Sequence, residues 1–150
     1  MRWLVIVLSI LGVLEMLAIN LTQHELTQEQ KEDAYWVKFN SYDGTNSTIE
    51  IKRLLTFESM PNMEEIQERA EKIANIAEGI FLQLDPEKAL KHTALIGGSP
   101  YLMGPLEKAL KERSIQPLYA FSKRVSVETT QPDGRVIKTA KFVHEGYIEV

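Results

Sequence analysis

The stretch Thr93-Ala94-Leu95-Ile96-Gly97-Gly98-Ser99-Pro100 changes character halfway. A short uncharged run is followed at once by two glycines and a Ser-Pro pair. A run of that length, closed by glycine and placed centrally in the chain, fits a strand buried on both faces, as in parallel sheets. Ser99-Pro100 is a cap-and-first-turn signal for a helix, and Gly104-Pro105 repeats it a few residues on. Pro105 would forfeit a helical hydrogen bond if the helix began at Pro100. A short turn from Ser99 and a main helix over 105–113 are therefore expected, with Leu106 and Leu110 on its inner face.

Working outward, Met63, Ile66, Ala70, Ile73, Ala77 and Ile80 recur at spacings of 3 and 4, with Glu64, Glu65, Glu68, Arg69, Glu71 and Lys72 between them. That is one apolar stripe on a long helix, opened by Ser59 and Pro61. Asp85-Pro86 reads as the start of a short helix to Leu90. Upstream, Leu17–Leu21 reads as an opening strand. Thr27 and Gln30 form a capping-box pair for a helix over about Gln28–Val37. Asn40–Ser47 is a polar turn cluster, and Ile49, Ile51 and Leu54-Leu55 suggest a second strand. Downstream, Pro117–Phe121 is a strand. Arg124–Thr130 and Arg135–Val143 flank Gln131-Pro132-Asp133-Gly134, a hairpin signal. A two-residue turn at Asp133-Gly134 would pair Val127 with Ala140 and Val125 with Phe142. The alternation of strands and helices predicts an α/β, Rossmann-like, mostly parallel sheet flanked by helices and ending in a β-hairpin.

The first fifteen residues stand apart. The uncharged run Trp3–Leu14 is twelve residues long, short of the roughly twenty a spanning helix needs. Extending it to Ile19 takes in Glu15. It reads as an apolar extension or an upstream start, with Met16 as an alternative first residue. A membrane anchor over residues 3–19 and a signal peptide are the competing readings, though no small-x-small cleavage pattern follows. The working unit is then one domain over 16–150.

The chain has 17 Lys/Arg, 21 Asp/Glu and no cysteine. Disulfides, thiolate-bound metals and a thiol nucleophile are excluded. A net charge of −4 argues against tracking a long nucleic acid. The balance is uneven: residues 1–100 carry 9 basic and 15 acidic side chains, a net of −6, and residues 101–150 carry 8 and 6, a net of +2. An anionic ligand is therefore sought near the C-terminal third.

Open sheets of this type bind ligands beyond the carboxyl ends of their strands. Three loops are expected there: Asn20–His24, Gly97–Tyr101 and Phe121–Arg124. Gly97-Gly98-Ser99 lets backbone amides approach an anion, although its spacing matches neither the dinucleotide fingerprint nor the triphosphate loop. Equally, it serves as a tight strand-to-helix turn. Lys123 and Arg124 are candidate phosphate contacts, or solvated charges opening the hairpin. Tyr101 can stack on a base or cover the helix end, and Tyr119 belongs to the core. His24 is placed for acid–base work, His92 is expected on the surface, and His144 follows the hairpin. No grouping has metal-ligand spacing, so no cofactor is expected.

Ala94–Met103, the strand Pro117–Phe121 with Ser122-Lys123-Arg124, the loop Asn20–His24 and the terminal hairpin together resemble the small CRISPR-associated Rossmann-fold (CARF) proteins. The likeness is greatest to the stand-alone ring nucleases and spans roughly residues 16–145; residues 1–15 and the loop Asn40–Ser47 depart from it. The resemblance implies a cytoplasmic homodimer that binds and degrades a cyclic oligoadenylate, commonly the four-membered ring, in antiviral defence. It implies metal-independent attack by the ring's own 2′-hydroxyl. It further implies His24, Ser122 and Lys123 as catalytic groups, and Asn20, Thr22, Gly97, Gly98, Ser99, Tyr101 and Arg124 as ligand contacts. The alternatives are a non-catalytic nucleotide sensor, tethered to a membrane or not, and an unrelated α/β anion-binding protein.

Overall fold

A computed structural model describes residues 16–33, 36–37 and 47–150. The leader 1–15 and most of the cluster Asn40–Ser47 lie outside the described residues. The elements run β1 (Met16–Asn20), α1 (Gln28–Asp33), β2 (Trp36–Val37), α2 (Ser47–Leu55), α3 (Met63–Leu84), β3 (Lys91–Leu95), α4 (Pro100–Glu112), β4 (Gln116–Thr130) and β5 (Val136–Glu149). They build one five-stranded sheet in the order β2-β1-β3-β4-β5. Pairing is parallel from β2 through β4, and β5 closes the sheet antiparallel to β4. The expected Rossmann-like α/β architecture is present.

β3 is the hinge of the arrangement. It pairs with β1 on one side (Ile19↔Ala94) and with β4 on the other (Ala94↔Pro117), so Thr93, Ala94 and Leu95 are buried. Thr93 is polar but satisfied: its hydroxyl donates to the Leu17 carbonyl at 3.2 Å. The stripe of α3 is buried from Ile66 through Phe81, and α4 adds Leu102, Met103, Leu106, Ala109 and Leu110. The Thr27–Gln30 capping box forms in both directions: the Thr27 amide donates to Gln30 Oε1 at 2.9 Å and the Gln30 amide to Thr27 Oγ1 at 3.2 Å.

Six expectations are corrected. The first helix, described over Gln28–Asp33, does not reach Val37: Trp36–Val37 join the sheet beside β1. Residues 47–55 are a helix, not a strand. Ile51, Leu54 and Leu55 are buried at helical spacing while Ile49 is 65% exposed, so the three- and four-residue recurrence outweighs the Ile49–Ile51 alternation. Asp85-Pro86 starts no helix. Asp85 instead ends α3, its amide donating to Phe81 O and its carboxylate accepting the Ala89 and Leu90 amides, each at 3.0 Å. α4 runs unbroken from Pro100 with Pro105 inside it; burying Leu102 and Met103 offsets the hydrogen bond that proline cannot make. The hairpin register is one residue away from the expected one, with Val127 opposite Thr139 and Val125 opposite Lys141. The cause is the turn. The Gly134 amide donates to Gln131 O at 2.9 Å with Pro132 second in the turn, and Gly134 follows at φ +85°. That is a type I turn closed by a left-handed glycine, a three-residue loop that shifts the pairing.

Nor do Pro117–Phe121 and Arg124–Thr130 form separate strands. β4 is a single strand whose first part lies in the sheet and whose remainder continues past it with β5 as a ribbon. A register shift at Phe121/Ser122 marks the transition. Among the described residues, no helix is long and apolar enough to cross a membrane.

Candidate functional site

The sheet order reverses between β1 and β3, and at such a switch point the loops leaving the two strands part and open a crevice. The loop after β1 is held by its own side chains. Asn20 Oδ1 accepts from the Thr22 amide at 2.9 Å and from the Thr22 hydroxyl at 2.7 Å, and Asn20 Nδ2 donates to the His24 carbonyl at 2.8 Å. Gln23 Nε2 ties the loop to Thr56 Oγ1 at 3.1 Å. Asn20 is therefore the organiser of the loop, and it fixes where Thr22 and His24 stand.

The loop after β3 leaves the sheet once the Ile96 amide has donated to Leu118 O at 2.9 Å. Gly98 then takes φ +153°, a conformation L side chains rarely adopt. A Cβ on Gly97 would sit 3.6 Å from Thr22 Cγ2, so the two loops face one another at close range. The amides of Gly97, Gly98 and Ser99 have no acceptor among the described residues. Ser99 opens α4 without a side-chain capping bond.

Between the loops lies a half-open cleft of about 340 Å³. Thr22, Gln23, His24, Glu25, Leu26 and Gln30 line one side, Leu95 to Gly98 the other, and Tyr119 with Ala120 close it from β4. Tyr119 also packs against the core, as expected. Burial and the neighbouring Glu107 carboxylate push its phenol well above the usual tyrosine range, so it stays a neutral hydrogen-bonding group. Among the described residues no lysine or arginine lines the cleft. Its polar equipment is backbone amide donors, the Thr22 and Tyr119 hydroxyls, the Gln23 and Gln30 carboxamides, the His24 imidazole and the Glu25 carboxylate. Among the described residues no three His, Asp or Glu converge as a metal-binding group.

Thus Thr22, His24, Gly97 and Gly98 come together, with Asn20 holding the first two and Ser99 at the adjoining helix start. The others do not. Tyr101 is 47% exposed and meets Phe57 edge-on at 5.3 Å. Phe121–Arg124 is not a loop: Ser122, Lys123 and Arg124 are exposed mid-strand residues outside the cleft lining, and consecutive strand positions send Lys123 and Arg124 to opposite faces. Gln23, Glu25, Gln30 and Ala120 were not expected in the site. Gln23 lies within the Thr22–His24 loop and Glu25 directly follows it, so the run following the strand was the available signal.

The remaining histidines are structural. His92 is not on the surface: its Nε2 meets Asp85 Oδ2 at 2.7 Å and its ring stacks on Phe81 at 4.3 Å. The His144 side chain is also buried, with Nε2 2.8 Å from Asp33 Oδ2, its ring against Tyr147, and Nδ1 without a partner among the described residues. With the Tyr147 hydroxyl donating to Gln30 O at 2.7 Å, this contact fastens α1 to β5.

A family model, that of the uncharacterized protein MJ1673 family, matches residues 16–148, a span that takes in cleft and ribbon alike. No curated protein and no solved structure matches the chain.

Proposed function

The chain belongs to the uncharacterized protein MJ1673 family, and we propose that its cleft binds a cyclic oligoadenylate, the four-membered ring foremost, and opens that ring without a metal ion. The observation that carries this reading is the meeting of unpaired Gly97 and Gly98 amides with Thr22 and His24 at the switch point of the sheet. Backbone amides suit a phosphodiester because they supply donors without the desolvation cost of a buried cation. The resemblance to CARF proteins supplies the class of ligand.

An RNA ring carries its own nucleophile. In the proposed step the 2′-oxygen attacks the adjacent phosphorus, and the bond from phosphorus to the 5′-oxygen breaks. A 2′,3′-cyclic phosphate forms at one end of the now linear product. His24 takes the 2′-hydroxyl proton, and the departing 5′-oxygen is protonated from solvent. The Gly97 and Gly98 amides stabilise the charge that grows on the phosphoryl oxygens. The Asn20–Thr22 bonds hold the loop so that attacking oxygen and phosphorus stay in line. Within one chain the roles implied for Ser122, Lys123 and Arg124 have no geometric support, and the step is carried by the loop residues alone. Twofold pairing of two chains would double these contacts, and such a ligand places the working protein in the cytoplasm.

Thermal denaturation of the full chain with cyclic tetra-adenylate or with AMP tests binding, and single-turnover incubation with excess protein and a chelator tests cleavage. The ring should raise the midpoint where AMP does not. Linear product should form, and His24→Ala should keep binding while losing cleavage. Gly98→Ala should weaken binding and cost about 1–3 kcal/mol of stability through its strained φ. No shift with any ring size overturns the reading. A shift without product makes the chain a sensor.

A further inference from the structure

Past the sheet, residues 122–142 form a ribbon with nothing packed on either face among the described residues, and α1 meets β5 only beyond it, at His144. Ser122–Thr130 and Val136–Phe142 are exposed throughout. β4 leaves β3 after Leu118 and β5 is the outermost strand, so both ribbon edges are unpaired among the described residues. The register gathers Val125, Val127, Ile137 and Val143 on one face. Phe142, on the other, is 68% exposed. A two-stranded ribbon is marginally stable in water, and open edges invite further pairing. This one has a face on which four aliphatic side chains alternate with Lys123, Thr129, Thr139 and Lys141, open to a partner that answers both.

The ribbon's charge says what kind of partner. Residues 122–144 hold five Lys/Arg and two Asp/Glu, a net of +3, while the other 127 residues hold 12 and 19, a net of −7. Within the ribbon Arg135 pairs with Asp133 and Lys138 with Glu128. The excess therefore rests on Lys123, Arg124 and Lys141, which have no carboxylate within ion-pair distance among the described residues.

We infer that the ribbon is a docking arm for a second copy of this chain, lying on the acidic body of its partner in a reciprocal, twofold exchange. Arm against arm would set +3 beside +3, whereas arm against body joins opposite charges in equal stoichiometry. The body also offers exposed apolar side chains for the valine face, Met60 at 96% and Met63 at 61% among them. A nucleic-acid backbone would answer the charge but not the aliphatic side chains, and the chain as a whole repels it. The inference shares with the functional reading only the expectation of a dimer, and it needs no ligand.

Sedimentation velocity of the full chain without nucleotide tests it. A dimer at low salt should dissociate as salt is raised. Val127→Asp, which sets a charge into the apolar contact, and Lys141→Glu, which reverses one of the free charges, should each weaken dimerisation on the order of tenfold or more at low salt. Far-UV circular dichroism should not change. A monomer at every concentration and salt overturns the inference, as does a dimer indifferent to both variants. Binding of labelled single-stranded RNA by a monomeric chain, lost in Lys141→Glu, overturns it in favour of nucleic acid. Because no ring is present, none of these outcomes bears on the cleft.

Discussion

β4 belongs to two environments. Pro117 and Leu118 are buried between β3 and β5, yet from Ala120 onward the same strand is open to solvent. In the body Pro117 and Leu118 have strand neighbours on both edges, and α4 packs against β4. In the arm a residue has one cross-strand partner, and valine, isoleucine and threonine supply only local preference for extended backbone. Pairing alone is enough to continue a strand but not to bury it. The body supplies stability and the cleft, and the arm is left with surface to spend on a partner.

The sharpest way to break that contrast is to truncate one apolar side chain in each region. Leu106 is fully buried and Val127 is 38% exposed. Leu106→Ala should cost about 2–5 kcal/mol through lost transfer energy and an unfilled cavity. Val127→Ala should stay within about 0.5 kcal/mol in the monomer. Urea unfolding at dilute protein measures both. Equal midpoints would mean that the arm is folded onto its own body and that the contrast is false.

Next in size is the acid limb of stability. Asp85 sits at the end of α3 with both oxygens occupied. Burial alone would raise its carboxyl, but the Leu90 amide, the His92 ring and the Ala89 amide together hold it below its ordinary 3.8. A carboxyl depressed in the fold gives stability that is present above the unfolded value and is lost as pH falls through the lower, folded one. Unfolding free energy should therefore decline below about pH 3.8. Asp85→Asn should remove that part of the decline and cost about 1–3 kcal/mol at neutral pH by leaving amides under-satisfied. An acid limb of unchanged slope in the variant would show that the pair contributes no linkage.

What could be read from the chain follows the same division. The β1, β3 and α3 segments and the Thr27–Gln30 box were legible because each depends on a local period or a fixed spacing. Both cleft loops could be located because each directly follows a strand that ends at the same sheet edge, and glycines mark the second. The α2 segment was misread because Ile49 and Ile51 alternate over too few residues to outweigh Leu54 and Leu55. The hairpin itself was legible, but its projection past the sheet as an arm was not. Alternation in residues 122–144 is the same whether or not a third strand lies alongside. Only the relative lengths of β3 and β4 decide that, and Gly97-Gly98 ends β3 well before β4 stops. Lys123 and Arg124 were consequently assigned to a loop that does not exist. The one-residue slip of the hairpin came from Pro132, which makes a type I turn out of what Asp-Gly alone would close as a two-residue loop.

The smallest expected effect compares two helix starts. Asn62 caps α3 by accepting the Glu65 amide at 2.8 Å, whereas Ser99 opens α4 with no such bond. Asn62→Ala should therefore cost about 1 kcal/mol. Ser99→Ala should cost no more than about 0.5 kcal/mol, since its oxygen makes no capping bond that the change could remove. The two variants unfold the same body, so the difference between their midpoints isolates the cap. A serine that does nothing for its helix, beside unpaired amides at the cleft edge, has an oxygen free for a ligand. Ser99→Ala should then weaken ring binding while leaving the unfolding midpoint of the free chain in place. A loss of stability equal to that of Asn62→Ala would return Ser99 to the role of an ordinary cap.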